Sequence, residues 1–470
     1  MLAFKAIRGA GWLVLSRFVG RIIDFFTLLV LARLLAPSDF GVAALATSLV
    51  VVVDMILEVP VTQALVRLRS IDKSHLDTGF TLGCLRSIVV AVVVFAVAWP
   101  FSLLHNDKVL LHLVSVLAIG PIAKGLTSPA MVHFSRALRF RPAFILELSG
   151  KIGACVVVAL VVMAGGTYWA IVSNFSTAAV ISTALSYVLA PYRPRFSLSQ
   201  RADFVGFIRW FSAAQVLAAF NWQSDRFLLG GLGDKTSLGR YAVANDISVI
   251  PSQSIIGPAM QPVMAAFSQV AQDPERMKLA FLKAARFVML ISIPVCFGIS
   301  LTADLVADIL LGPQWKSAAP LLSVLAISVA PFPYFQTLHS ASMALDRPVV
   351  IFKLNAIELC FKIPLLPAGF YLGSAYGVSI SRLTIALILF VFYLIYASRL
   401  LSLGIIVQLK NIWKILTAGV VMAVCVLLLR SQLTGVMTRY DVVEMGLVAA
   451  TGAMVYGLTL VALGEKLQMR

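Results

Sequence analysis

The chemistry this sequence offers first lies in five ionisable residues set into two otherwise apolar stretches: Arg17, Arg21 and Asp24, then Asp54 and Glu58. At a helical 100° per residue, positions 17, 21 and 24 share one face of a first helix, and 54 and 58 share one face of a second. The turn between them is PSDFG, residues 37 to 41. A rise of 1.5 Å per residue puts Arg21 roughly 24 Å, Asp54 roughly 20 Å and Glu58 roughly 26 Å from that turn, so charges of opposite sign share a depth. A charge at a bilayer centre costs about 2.5–3.5 kcal/mol on insertion scales, and such residues face a bundle interior or a wet cavity and pair there. Two chemistries fit. One is a buried ion pair between Arg21 and Asp54 or Glu58 that fixes how the two helices pack. The other is a ligand site, for which Arg17 adds a second cation where Asp24 can offset only one.

Further charges interrupt later apolar stretches: Arg86, Lys124, Glu147 and Lys151, then Asp225, Arg226, Asp246, Glu358, Lys362 and Arg382. Glu147 with Lys151, and Glu358 with Lys362, stand four residues apart and are expected to neutralise themselves on one helix. Lys124 lies beside Pro121 and Gly125 with no acidic residue on its own helix, so it is expected to need an anionic partner or water. Basic residues outnumber acidic ones over the first six expected spans, which predicts a net-positive cavity there. Such a cavity suits an anionic headgroup: arginine's fork binds phosphate in bidentate fashion and lysine adds a mobile point charge. Trp210, Trp222, Tyr241 and Tyr334 are candidates for stacking on sugar faces, with anchoring at the membrane interface as the alternative.

The elements that must position these residues follow from composition. The 470 residues are 60% hydrophobic and 13% charged, against about 25% charged in soluble domains. This is a polytopic all-α membrane protein. Apolar stretches of about 20 residues predict about 14 transmembrane helices. The net charge of +17 belongs to loops that attract anionic headgroups, not to nucleic-acid binding. Lys108, Lys235, Lys316, Arg430 and Arg439 are the basic residues of one set of alternating loops, and several times as many fall in the other set and at both ends, which predicts both termini in the cytoplasm. Lys5 and Arg8 precede an apolar run that Arg17 and Arg21 interrupt, so the first segment reads as a retained span rather than a signal peptide. Two basic connections, Arg193 to Arg209 and Gln272 to Arg286, are expected to hold short amphipathic helices on the cytoplasmic surface.

The first of those connections separates two similar halves. Gly41 and Gly239, Pro60 and Pro258, and Gln63 and Gln261 share an offset of 198 positions. That coincidence predicts an internal duplication with a path between the halves. The expected organisation is an N-terminal six-helix lobe over 1–192, a cytoplasmic amphipathic linker over 193–209, a C-terminal six-helix lobe over 210–400, and two additional transmembrane helices over 401–470. Pro251, Pro258, Pro262, Pro331, Pro333, Pro364 and Pro367 fall inside spans, as static curvature around a cavity or as hinges. Cys84, Cys155, Cys296, Cys360 and Cys425 show neither disulfide nor metal spacing and are expected to be packing residues. The five histidines receive no role, and His105 and His112 are placed at the outer interface. GGLGDKTS, residues 230 to 237, approaches a phosphate loop, but Asp234 stands where a glycine should precede the lysine, which argues against nucleotide hydrolysis. No metal, cofactor or catalytic residue is expected. Exporting a negative charge gains about 2.3 kcal/mol per 100 mV of inside-negative potential. Protonation of Asp24, Asp54 or Glu58 offers another coupling route.

Several stretches resemble one family: LARLLAPSDFGVAAL (31 to 45), VTQALVR (61 to 67), SDRFLLGGLG (224 to 233), LGRYAVA (238 to 244), DPERM (273 to 277) and LLGPQWKSAAPLL (310 to 322). From about Phe4 to Arg399 the chain resembles bacterial Wzx-type oligosaccharide flippases of the MOP, MATE-like, exporter superfamily. The resemblance implies two six-helix lobes in a V, alternating access, and translocation of undecaprenyl-diphosphate-linked sugar repeat units across the inner membrane for surface polysaccharide synthesis. It implies that arginines on the first helix face the cavity, which fits Arg17 and Arg21; the cation that some relatives carry on the second helix has no counterpart, since Asp54 and Glu58 stand there. The substrate-binding residues expected are Arg17, Arg21 and Lys124, with Arg86 and Arg226 behind them, and Asp24, Asp54 or Glu58 set charge balance or coupling. Expected partners are the lipid-linked oligosaccharide and membrane lipids, with a polysaccharide polymerase and chain-length regulator as further candidates. A multidrug or cation antiporter on the same scaffold, and a scaffold that recruits a polymerase without transport, are the competing readings.

Overall fold

In a bilayer each backbone N–H and C=O must be satisfied within its own segment or a closed barrel, so an apolar chain of this composition is driven to helix. The computed structural model describes residues 2–68, 70–137, 139–433 and 441–464, and these hold helices and no strand. Side chains of residues 2–10, 13, 14, 67, 205–214, 255, 258, 261, 433 and 441 lie outside the described set. The expectations on the side chains of Lys5, Arg8, Arg67, Trp210, Pro258 and Gln261, and on Arg69, Arg439, Lys466 and Arg470, therefore lie outside what is described. The chain divides into two compact units, Met1–Gly239 and Arg240–Arg470.

The first unit contains α1 (Leu2–Leu34), α2 (Pro37–Ile56), α3 (Val61–Arg67), α4 (Lys73–Leu104), α5 (Lys108–Leu117), α6 (Ile119–Gly125), α7 (Val132–Arg136), α8 (Arg141–Met163), α9 (Tyr168–Leu189) and α10 (Ala202–Leu232). Pro37 opens α2, where its missing N–H is no loss, and the Asp39 carboxylate accepts the Ala36 N–H at 3.2 Å. α1 lies along α8: Trp12 meets Phe144 with ring centroids 5.4 Å apart, and Thr27 Oγ1 lies 3.3 Å from Cys155 Sγ. Small residues set the close approaches, as they do between helices in lipid. A Cβ on Gly20 would meet Glu147 Oε1 at 2.7 Å, and one on Gly125 would meet Gly83 O at 2.7 Å. α10 runs antiparallel along α2, with Gly230 against Leu45 at one end and Gln215 beside Glu58 at the other.

Residues 191–201 carry no helix, so the expected surface helix over 193–209 reduces to the first turns of α10. Pro191 and Pro194 remove donors there, and the chain is held as an extended strap on the start of α4: Ser197 N donates to Thr81 Oγ1 at 2.9 Å and Tyr192 OH bonds Asp77. Beneath the strap Leu65, Leu76, Val132, Ala190 and Phe204 form a small buried core.

α11 (Lys235–Pro251) crosses from one unit to the next. Then follow a π-helical turn at Ser252–Ile256, α12 (Gly257–Val270), α13 (Pro274–Leu301), α14 (Ala303–Val306), α15 (Ala319–Val329), α16 (Phe332–Ala344), α17 (Val349–Leu401), α18 (Ile405–Leu433) and α19 (Asp441–Ala462). Asp273 caps α13 by accepting the Arg276 N–H at 3.1 Å, so no separate surface helix forms over 272–286. α17 is two helices folded back at Gly373–Ser374, where Ser374 is left-handed with φ 50°. Gly369 and Gly377 face each other, and Ser381 Oγ donates to Leu365 O at 2.7 Å. Arg430 ties α18 to the end of α13, donating to Leu301 O at 2.7 Å and Asp304 Oδ1 at 3.0 Å.

Among the described residues, 10 helical stretches are long and apolar enough to cross a membrane, with Val349–Leu401 counted once. α1 and α10, of 33 and 31 residues, stand outside that set although both are long enough for a crossing.

Candidate functional site

Asp54, near the end of α2, is held between two cations. One carboxylate oxygen bonds Arg86 Nη2 from α4, and the other lies 3.3 Å from Lys124 Nζ of α6. The two cations differ in how they are used. The Arg86 side chain is 7% exposed. It also donates from Nε to Leu57 O at 3.0 Å and from Nη1 to Pro121 O at 3.1 Å, closing the C-terminal end of α2 against α6. Lys124 is 53% exposed, with its ammonium 5.4 Å from the centre of the Phe175 ring. The lysine that its own helix leaves without a partner therefore finds one on α2. Arg86, expected as a ligand residue, spends donors from all three guanidinium nitrogens within the protein.

A second cluster sits where α1 meets α8. Asp24 accepts from Lys151 Nζ at 2.5 Å and lies 3.9 Å from Arg21. Ser16 Oγ donates to Glu147 Oε2 at 2.5 Å. Glu147 and Lys151, expected to neutralise each other, are drawn to α1 because the approach at Gly20 brings its polar groups within bonding reach; Lys151 also donates to Gly20 O at 3.1 Å. Arg21, 43% exposed, stands at the edge of this seam beside Asp24, and Arg17 one turn before it is exposed as well. The expected ion pair of Arg21 with Asp54 or Glu58 does not form, because α1 is laid on α8 and Asp54 is taken by α4 and α6. Glu58 instead accepts from Gln215 Nε2 of α10 at 2.9 Å.

Elsewhere the outcomes divide. Glu358 and Lys362 form the expected pair at 2.8 Å. Arg226 is half-buried on α10 beside the buried Asn221, Gln223 and Asp225. Tyr241 and Tyr334 are both 1% exposed, so neither offers a face to a sugar or an interface. Tyr241 accepts from Arg382 Nη1 at 3.4 Å, and Tyr334 donates to Gln408 Oε1 at 2.5 Å. Trp222 is exposed. Cys296 is buried as a packing residue would be, whereas Cys360 is exposed. Asp234 in the phosphate-loop-like stretch caps α11, accepting the Ser237 N–H at 3.1 Å. Phe175 and Gln215 were not singled out by spacing; one polar residue or one ring in an apolar helix carries no periodic signal.

Among the described residues the arrangement sets cations on apolar helices, one of them held and buried and others exposed. A family model described as polysaccharide biosynthesis protein matches residues 30–320. The succinoglycan biosynthesis transport protein ExoT of Rhizobium meliloti (strain 1021) is 25% identical over 324 residues, a match that spans 68% of this chain and 65% of ExoT. The lipopolysaccharide biosynthesis protein WzxC of Escherichia coli (strain K12) is 22% identical over 394 residues, 82% of this chain and 79% of WzxC. The structure of the lipid II flippase MurJ in an inward closed conformation matches with a TM-score of 0.77 at 12% identity, over 96% of this chain and 98% of MurJ, which establishes a shared fold. With the family match extending over more than half of its length, the chain belongs to the polysaccharide biosynthesis protein family of multi-pass membrane proteins.

Proposed function

We propose that this protein is an alternating-access flippase that moves undecaprenyl-diphosphate-linked oligosaccharide repeat units from the cytoplasmic to the outer leaflet of a bacterial inner membrane. The observation that carries the reading is the presence of exposed cations, Arg17, Arg21 and Lys124, on helices of a polysaccharide-family transporter fold. Their carboxylate neighbours Asp24 and Asp54 each face two cations, so both clusters keep positive charge for a diphosphate. In this reading the chain crosses the membrane 14 times, with α1, α10 and the α11–α12 pair as crossings and α17 crossing twice. Its repeats are the six-helix lobes 1–192 and 210–400, joined by 193–209 and followed by the pair in 401–470. Both termini lie in the cytoplasm, and a polymerase and chain-length regulator receive the product. Arg226 would serve the substrate from α10, and Arg86 holds Asp54 in place.

The test is the sidedness of undecaprenyl-linked oligosaccharide in a strain lacking the protein and resupplied with Arg21→Glu. Repeat units are expected to accumulate on the cytoplasmic leaflet and to stay there when the normally expressed variant is supplied. Normal arrival at the outer leaflet without the protein removes the flippase reading. Survival of polysaccharide synthesis with Arg21→Glu favours a scaffold, and resistance to cationic drugs on overexpression favours an antiporter.

A further inference from the structure

The Asp54 cluster combines a rigid frame with one loose member. Four backbone carbonyls around Lys124 are tied down by side chains of other helices. Pro121 O accepts from Arg86 Nη1 at 3.1 Å, Ile122 O from Ser87 Oγ at 2.8 Å, Ala123 O from Thr183 Oγ1 at 2.8 Å and Leu126 O from Tyr187 OH at 2.7 Å. α6 cannot slide relative to α4 and α9 without breaking them. Asp54 is equally fixed, 16% exposed and bonded to a guanidinium whose other two nitrogens each donate to a carbonyl. Lys124 itself is different. Its bond to Asp54 is 3.3 Å, longer than the 2.7–2.9 Å or so of a strong charge-assisted bond, and its side chain is 53% exposed. Its ammonium also lies against the Phe175 ring, a face that attracts a cation and gives no hydrogen bond.

We propose that Asp54 is a built-in competitor for the substrate's phosphate: Lys124 exchanges between the Asp54 carboxylate and a diphosphate oxygen, while Arg86 positions Asp54 and Phe175 supports the ammonium on its way. The inference rests on the reading of the ligand as a lipid diphosphate. Its consequence is that Asp54 weakens binding so that the diphosphate is released. Arg86 is a positioning residue and touches no substrate. A purely structural Asp54 predicts the opposite, because removing it would loosen the frame and weaken any ligand.

The experiment measures binding of farnesyl diphosphate to the purified full-length protein in detergent, at fixed salt, by thermophoresis. Asp54→Asn is expected to bind about two- to fivefold more tightly, the scale of losing one half-exposed ion pair. The gain must vanish in the Asp54→Asn/Lys124→Gln double variant, which separates exchange from a general rise in positive charge. If Asp54→Asn fails to fold with Arg86 left uncompensated, Asp54→Asn/Arg86→Gln replaces the buried ions by a neutral hydrogen-bonded pair and is expected to show the same gain. Unchanged or weaker binding in a folded Asp54 variant, with binding by the unaltered protein intact, overturns the exchange and leaves the flippase reading standing. A gain that persists without Lys124 also overturns it. Absence of binding by every form, including Asp54→Asn, removes both.

Discussion

At the scale of single residues, the same side-chain type does different work according to what surrounds it. Arg86 and Arg21 are both arginines within apolar helices, yet one is 7% and the other 43% exposed, and the buried one donates to backbone carbonyls from both Nε and Nη1. Asp234 shows the point outside the membrane. The Ser237 hydroxyl and the N–H groups opening α11 hold its carboxyl below the ordinary carboxylate range. A lowered folded value means that the carboxylate's contribution to stability is complete above the unfolded value of about 4 and is lost as the pH falls through the folded one. Asp234→Ala is expected to destabilise the detergent-solubilised protein by about 1 kcal/mol near neutral pH, as for other lost caps. The difference in thermal midpoint from the unaltered protein should shrink as the pH is brought below about 4. A gap that stays constant down to pH 3 would remove the titrating cap.

At the scale of elements, packing is decided where glycines let backbones touch. In the first unit a Cβ on Gly41 would run into Lys235 O, and one on Gly239 would run into Pro37 O. Each glycine thus faces the residue that opens the other helix, and the two contacts are exchanged by the offset of 198 positions at which residue types coincide in the sequence. The offset expected from a duplication thus coincides with a reciprocal backbone contact. No flexible side chain is available to yield, so Gly41→Ala or Gly239→Ala is expected to cost about 1–3 kcal/mol, the range of overpacked cores. Gly457→Ala on α19, where a Cβ meets nothing within 4 Å, should be neutral or stabilising. Thermal unfolding in detergent compares them, and equal midpoints for all three would show that α2 and α11 can part at no cost. The long elements themselves were legible because a hydrophobic run and its flanking charges are local. The strap at 191–201 and the fold-back inside α17 were not equally so: the first depends on bonds to α4, whereas the second was marked by Gly373 between two runs of spanning length.

At the scale of the whole molecule, orientation is the property that residues and elements leave to the membrane. The excess of basic residues in one set of loops predicts which ends of the helices stay in the cytoplasm. Alkaline phosphatase fused after Asn106 or Gly312 is expected to be active, and fused after Arg139 or Asp346 inactive. The reversed pattern would turn the topology over and place the exposed cations against the opposite leaflet. The C-terminal pair belongs to this scale as well. Gln408 of α18 accepts from Tyr334 and donates to Leu394 O at 3.1 Å, Asn411 donates to Leu282 O at 2.8 Å, and Tyr456 of α19 donates to Leu290 O at 3.0 Å. These helices are bonded into the second unit through polar groups that apolar surroundings make costly to leave unpaired.

The sequence by itself determined that this is an all-helical membrane protein, where most of its spans lie, and which residues bring charge into the apolar phase. Each of those properties is a local pattern of hydropathy, spacing or residue type. Only the tertiary structure decided how the charges are shared. Lys124 and Asp54, 70 positions apart, form one cluster, while Glu147 and Lys151, four apart, turn to a different helix. Nearness along a helix sets what a side chain can reach, but its partner is chosen by which helices lie close. In an apolar medium that choice falls to small residues that permit contact and to polar groups that must be satisfied.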